Sequence, residues 1–196
     1  MQKLNRKSLL VVISGPSGVG KDVIIEEMVR QNPKDYHFTV TATTRRPRDN
    51  ELNGVNHYFL SLKEFTSMID NDELLEWAKV YGNYYGVPKK QVNDALRDGN
   101  HVIIRVDVQG AKRIKSIMPE SILIFIHPPN FDILKNHLIK RGVNSDKDIS
   151  IRLAEAKKEI PQSKKFDYSI INEENKLNET VEKIYNIITV KSENKY

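Results

Sequence analysis

The chain has 196 residues, 39% of them apolar, which is enough for one domain of ordinary size with a sizeable core. It contains no cysteine, which excludes disulfides and thiolate metal centres and makes a reducing, cytoplasmic setting the expectation. Lys and Arg outnumber Asp and Glu by 31 to 26, but they are dispersed rather than gathered in one run; they read as solvated faces or as partners of phosphate-bearing small molecules, with no nucleic-acid partner expected.

Leu9-Leu10-Val11-Val12-Ile13-Ser14 is a continuous apolar, β-branched run that ends at glycine, the pattern of a strand buried on both faces of a parallel sheet. It is far shorter than the roughly 20 residues that span a bilayer, and no cleavage-type signal follows it, so no membrane association is expected. Gly15-Pro16-Ser17-Gly18-Val19-Gly20-Lys21 comes next and runs into a helical period from Val23 to Val29, the setting that a G-x-x-x-x-G-K loop needs. Glycines let successive N–H groups point inward at phosphate oxygens, the helix N-terminus adds its positive end, and Lys21 brings a full charge to the β and γ phosphates. The position after that lysine normally carries a hydroxyl that binds Mg²⁺. Here it is Asp22, which reads as a carboxylate ligand of Mg²⁺ or as a helix cap.

From about Phe38 to Lys90 the pattern changes: short strand-like pieces, Phe38 to Thr43 and His57 to Leu60, enclose turns at Asp49-Asn50-Glu51 and Asn53-Gly54, as in an inserted subdomain. Strand patterns return at His101 to Val108, Ile122 to His127 and Tyr168 to Ile171. They are interleaved with helical periods at Ala111 to Ile117, at Phe131 to Ile139 and through Ile149, Leu153, Ala156 and Ile160. Buried strands alternating with helices predict an α/β fold, a doubly wound parallel sheet. The stretch Arg141 to Asp148 is polar, as expected of a flap. Leu177, Val181, Ile184 and Ile188 predict a closing amphipathic helix, with Lys191 to Tyr196 frayed beyond it.

Once the loop is placed, five further segments stand in order: Thr43-Thr44-Arg45-Arg46-Pro47-Arg48, Glu51 with Gly54, Glu76-Trp77-Ala78, Gly82-Asn83-Tyr84-Tyr85-Gly86 and Asp107-Val108-Gln109-Gly110-Ala111. Together they resemble guanylate kinase, from about Leu9 to the closing helix. The resemblance implies one P-loop domain over residues 1–196, with a core at 1–37 and 91–196, a GMP-binding subdomain at about 38–90 and a lid at about 138–152. It implies transfer of the γ-phosphoryl group of Mg-ATP to GMP, and to dGMP as well, by a monomer or homodimer.

By the same resemblance, Gly15 to Val23 and Asn172 contact ATP, and Asp22 stands at the Mg²⁺ position. Arg45, Arg48 and Tyr85 hold the GMP phosphate, as guanidinium forks suit a dianion. Glu76 and Asp107 read guanine, whose N1–H and N2–H donors a carboxylate accepts and adenine does not offer. Thr41 falls where a serine near guanine O6 is common. Lys21 and the lid arginines, Arg141 and Arg152, stabilise the transferring group.

Five positions depart from the family pattern. Val87 replaces a hydroxyl residue at guanine, His137 replaces the first lid arginine, and Asp22 replaces the loop hydroxyl. The phosphate-binding tyrosine aligns with His57, which is favoured on register over Tyr58 next to it. Arg105 stands where an acid is common, and with Asp107 it is expected to alternate along one strand near the loop. Asp22 has gained a negative charge and Arg105 a positive one, so the two substitutions are expected to compensate. Three rival readings remain: a non-catalytic phosphopeptide-binding module, which would have no use for the intact loop, a kinase of another phosphorylated acceptor, and a basic RNA-binding protein.

Overall fold

The computed structural model describes residues 7–31, 34–49, 51–80, 82–140 and 146–193. The run after Ser8 forms β1 (Leu10–Ser14), buried along its whole length, and it pairs in parallel with β7 (His101–Arg105) on one side and β8 (Ile122–His127) on the other. β2 (Tyr36–Phe38) and β9 (Tyr168–Ile171) complete a parallel five-stranded sheet in the order β2-β7-β1-β8-β9. Because β1 is central, both of its faces are covered, which is why its sequence is apolar without alternation.

Its two faces nonetheless serve different cores. Leu9, Val11 and Ile13 pack with Ile24 and Met28 of α1 (Lys21–Gln31) and with Val181, Ile184 and Ile188 of α7 (Leu177–Glu193). The same core takes Leu134 of α5 (Phe131–Lys140) and Ala156 of α6 (Asp146–Glu159). Leu10 and Val12 pack on the opposite face with Val92 and Ala95 of α3 (Lys89–Arg97) and with Ala111 and Ile114 of α4 (Val108–Ile117). Helices on both faces make the sheet doubly wound. In such a sheet the crevice beyond the carboxyl ends of the strands is where ligands bind.

A second sheet has the order β4-β3-β6-β5, built from β3 (Thr41–Thr43), β4 (His57–Phe59), β5 (Leu74–Val80) and β6 (Asn83–Pro88). Phe65 of α2 (Leu62–Asp70) packs with Ala42 and Leu74 to give this sheet its own small core. Ser61 and Glu64 start α2 with a reciprocal capping box, satisfying two otherwise orphaned N–H groups.

Several expected boundaries shift. The piece Phe38 to Thr43 is two strands in two sheets, because the chain crosses from one to the other at Thr39 and Val40. The strand expected to reach Val108 ends at Arg105, since Asp107 caps α4 and its carboxylate accepts the Gly110 N–H at 2.7 Å. The expected flap is helical from Asp146 onward, and α7 continues to Glu193 instead of fraying at Lys191. Among the described residues no helix is long and apolar enough to cross a membrane.

Candidate active site

Most of the residues singled out in the sequence line a cleft of about 700 Å³ that lies between the carboxyl end of the parallel sheet and the inner face of the second sheet. Gly15, Ser17, Gly18, Gly20, Lys21 and Asp22 line one wall, Thr41, Arg45, Arg48, His57, Glu76 and Tyr85 the other, and Asp107 and Arg152 the rim between them.

The loop wall is shaped by backbone that only glycine tolerates. A Cβ on Gly15 would fall 2.4 Å from the carbonyl oxygen of Ile126, so any other residue would push the loop off β8. Gly20 has φ +96°, and a Cβ there would meet Asn172 Nδ2 at 2.7 Å. Asn172 donates to the Val19 carbonyl at 2.9 Å and accepts from the Thr180 hydroxyl, so it props the loop from behind. Val19 is buried in the core, Val23 is exposed on α1, and neither Pro16 nor Asn172 lines the cleft. The Lys21 ammonium donates to the carbonyls of Gly15 (2.6 Å) and Pro16 (3.0 Å), which holds its charge inside the curl of the loop.

Two basic side chains approach the same loop from the helices that follow β8. Arg152 of α6 donates to the Ser17 hydroxyl at 3.2 Å, and His137 of α5 lies 3.2 Å from the Gly18 carbonyl. Arg141 lies outside the described residues.

On the opposite wall Glu51 organises the arginines. It receives Arg45 Nη2 at 2.9 Å through one oxygen and the Arg48 backbone N–H at 2.8 Å through the other. Arg45 Nη1 donates to the Arg46 carbonyl, while Arg45 Nε is buried with no hydrogen-bond partner among the described residues.

Glu76 is only 5% exposed, and burial pushes its carboxyl up to about 7 against the opposing pull of Arg113. Arg113 of α4 donates to Glu76 Oε2 through Nη2 at 3.2 Å and more weakly through Nε at 3.4 Å. Nearby Asp107 raises Glu76 further. Val87, at the position where a hydroxyl is usual, is fully buried in the core beneath.

His57 and Tyr58 separate as strand alternation requires: His57 is 9% exposed and lines the cleft, whereas Tyr58 is 39% exposed and does not. Thr41 and His57 are register partners across β3 and β4, with Thr41 Oγ1 2.7 Å from His57 Nδ1. Burial, with Arg105 and Arg45 close by, lowers the His57 imidazole to about 4, so it is neutral at physiological pH.

Arg105 ends β7 opposite Ile13, one residue before the turn into the loop, and its Nη1 forms an ion pair with Asp22 Oδ1. Its Nη2 lies 3.4 Å from His57 Nε2. The sequence reading missed Arg113 and Glu159. Glu159 closes α6 and lines the cleft, and burial lifts its carboxyl to about 7 although Lys21 pulls it down. Neither belongs to a recognisable motif, and only the packing of α4 on β5 and of α6 over the loop brings them in.

The family model described as guanylate kinase matches residues 7–191. The guanylate kinase of Clostridium tetani is 45% identical over 183 residues, covering 93% of this chain and 86% of the relative. That of Carboxydothermus hydrogenoformans is 45% identical over 168 residues, covering 86% and 82%. Among solved structures, the guanylate kinase of Anaplasma phagocytophilum superposes with a TM-score of 0.79 at 28% identity, covering 97% of this chain and 88% of that one. The SH3-kinase fragment of tight junction protein 3 shares the fold alone, with a TM-score of 0.52 at 12% identity.

Proposed function

Because the chain belongs to the guanylate kinase family and phosphorylates GMP with ATP, we propose that the loop wall of the cleft takes the donor nucleotide and the Arg45–Glu76 wall takes GMP. The observation that carries this assignment is that Arg45 and Arg48, both held by Glu51, line the same cleft as the glycine loop and Lys21.

On the donor side, the loop N–H groups and Lys21 hold the β and γ phosphates, and Arg152 lies against the loop at Ser17. Magnesium takes phosphate oxygens and one or two carboxylates, so the residues present fit it: Asp22 would hold it directly or through water, and it would supply charge neutralisation between the phosphates. On the acceptor side, Arg45, Arg48 and Tyr85 hold the GMP phosphate. Glu76 and Asp107 accept from N1–H and N2–H, and Thr41 donates to O6.

An oxygen of the GMP phosphate attacks the γ-phosphorus in line as the bond to the β–γ bridging oxygen breaks, so no covalent enzyme intermediate is required. Lys21 and Arg152 neutralise charge on the moving group. The segment from about 38 to 90 acts as the acceptor subdomain within a single domain. Its approach to the core excludes water and suppresses hydrolysis of ATP.

A coupled ADP-release assay with GMP, dGMP, AMP, CMP and UMP tests the assignment. ADP formation dependent on GMP, and on dGMP, supports it; equal rates with AMP and GMP would overturn the base assignment.

A further inference from the structure

Three of the five departures from the family pattern touch one another. Asp22 is on the loop, Arg105 ends the core sheet and His57 is in the second sheet, yet Arg105 contacts both of the others through separate nitrogens. Beyond His57 the chain of contacts reaches Thr41, which is 5% exposed and lines the cleft. It therefore runs from the loop wall to Thr41 on the opposite wall.

Its direction follows from hydrogen-bond chemistry. An arginine donates and never accepts, so the His57 nitrogen facing it, Nε2, must be the acceptor. A neutral imidazole with an accepting Nε2 carries its hydrogen on Nδ1. Nδ1–H then donates to Thr41 Oγ1, and the Thr41 hydroxyl has its own proton left to give. With the opposite tautomer, two donors would face each other at Arg105, and Thr41 would spend its proton on His57.

We propose that Arg105 is a positioning residue for base selection: paired with Asp22, it fixes the Nδ1–H tautomer of His57, which leaves the Thr41 hydroxyl proton available to a 6-oxopurine. This rests on the acceptor assignment made above and adds a reason for selectivity at the 6 position. A threonine that spends its proton on His57 can only accept at position 6, which suits a 6-amino group. A threonine that receives Nδ1–H keeps its proton for a 6-oxo group. The same contacts tie the ATP wall to the base pocket, so a change at Asp22 is felt at the 6 position.

Two measurements test this. In the first, ¹⁵N spectra of the free protein, with His57 assigned by His57→Gln, report the tautomer: Nδ1–H is expected, and Arg105→Leu should shift the population toward Nε2–H. A wild-type Nε2–H tautomer, or one unchanged in Arg105→Leu, would overturn the proposal. In the second, kcat/KM is compared for GMP and 6-thio-GMP, which keeps N1–H and N2–H but has a weaker acceptor at position 6. Wild type should prefer GMP by about fivefold or more, the fold-change of one neutral hydrogen bond. Thr41→Val should abolish that preference, Arg105→Leu and His57→Gln should reduce it, and Arg105→Leu should change nothing further on the Thr41→Val background. A preference that persists in Arg105→Leu while only the ATP KM moves would confine Arg105 to Asp22. Absence of GMP turnover in wild type would instead reject the acceptor assignment itself.

Discussion

Arg113 holds one oxygen of the Glu76 carboxylate, Nη2 to Oε2 at 3.2 Å, from a helix packed behind the strand that carries Glu76. Burial favours the protonated acid and Arg113 favours the carboxylate, leaving Glu76 at about 7. Reading guanine requires the carboxylate, because N1–H and N2–H both donate. The KM for GMP should therefore fall as pH rises through about 7. Removing the cation in Arg113→Met should move that limb to higher pH with little change in kcat at alkaline pH. The phosphate of GMP also titrates near this range, but its ionisation is indifferent to the variant. A limb that does not move would detach Arg113 from Glu76.

Lys21→Ala should lower kcat by about 10²–10³-fold, the scale of removing one donor to a developing charge. Its ammonium donates to two loop carbonyls at the cleft and not into the core, so thermal unfolding should shift by only a few degrees. Global loss of the far-ultraviolet circular dichroism signal would make Lys21 structural.

Arg45→Ala should raise the GMP KM by about 10–100-fold, as expected for a lost hydrogen bond between charged groups, and Arg48→Ala by less. The difference follows from exposure: the Arg45 side chain is 15% exposed and fixed by Glu51, the Arg48 side chain 40%. The ATP KM should hold in both variants. Initial-rate kinetics with each substrate varied would show misplacement of these arginines as an equal rise in both constants.

The architecture was legible in the sequence where a single physical requirement dominates. β1 is apolar throughout because helices cover both faces, and the glycine loop is bent where side chains cannot fit. Asp22 and Arg105 are paired in the sequence by their opposite charges and by the place of Arg105 on a strand near the loop, and they do meet. What escaped the reading depends on tertiary packing. Arg113 reaches Glu76 only because α4 lies against β5, and Glu159 reaches the cleft only at the end of α6. Strand β7 stops short of Asp107 because a helix cap competes with strand geometry for that carboxylate, which apolar periodicity does not register.

Glu159 gives a stability prediction. Its folded value is raised to about 7 from an ordinary 4.5, so between these values the unfolded chain releases a proton that the folded one retains. Its contribution to stability is therefore present below about 4.5 and lost as pH rises to about 7. Glu159→Gln should raise the melting temperature of the ligand-free protein at pH 8 relative to wild type and leave it unchanged at pH 4. Equal shifts at both values, by calorimetry, would show that the carboxyl does not titrate in this window.

Asp22 and Arg105 offer the sharpest test of compensation. The ion pair joins the loop to the end of β7; with the donor nucleotide on the loop wall as proposed, Arg105→Ala would leave a carboxylate beside its phosphates without a balancing charge and should raise the ATP KM. Asp22→Ser should be milder, because a hydroxyl is the usual group at this position and does not repel phosphate. Asp22→Ser with Arg105→Asp should recover much of the activity that Arg105→Asp alone loses, since the pair is then returned to the arrangement common in the family. Because the two side chains are in direct contact, the Asp22/Arg105 double-mutant cycle should show a coupling of about 0.5–3 kcal/mol in kcat/KM for ATP. Strict additivity would mean that the contact carries no energy relevant to ATP, and would leave Asp22 as a favourable charge in the first turn of α1 with Arg105 free of any role in donor binding.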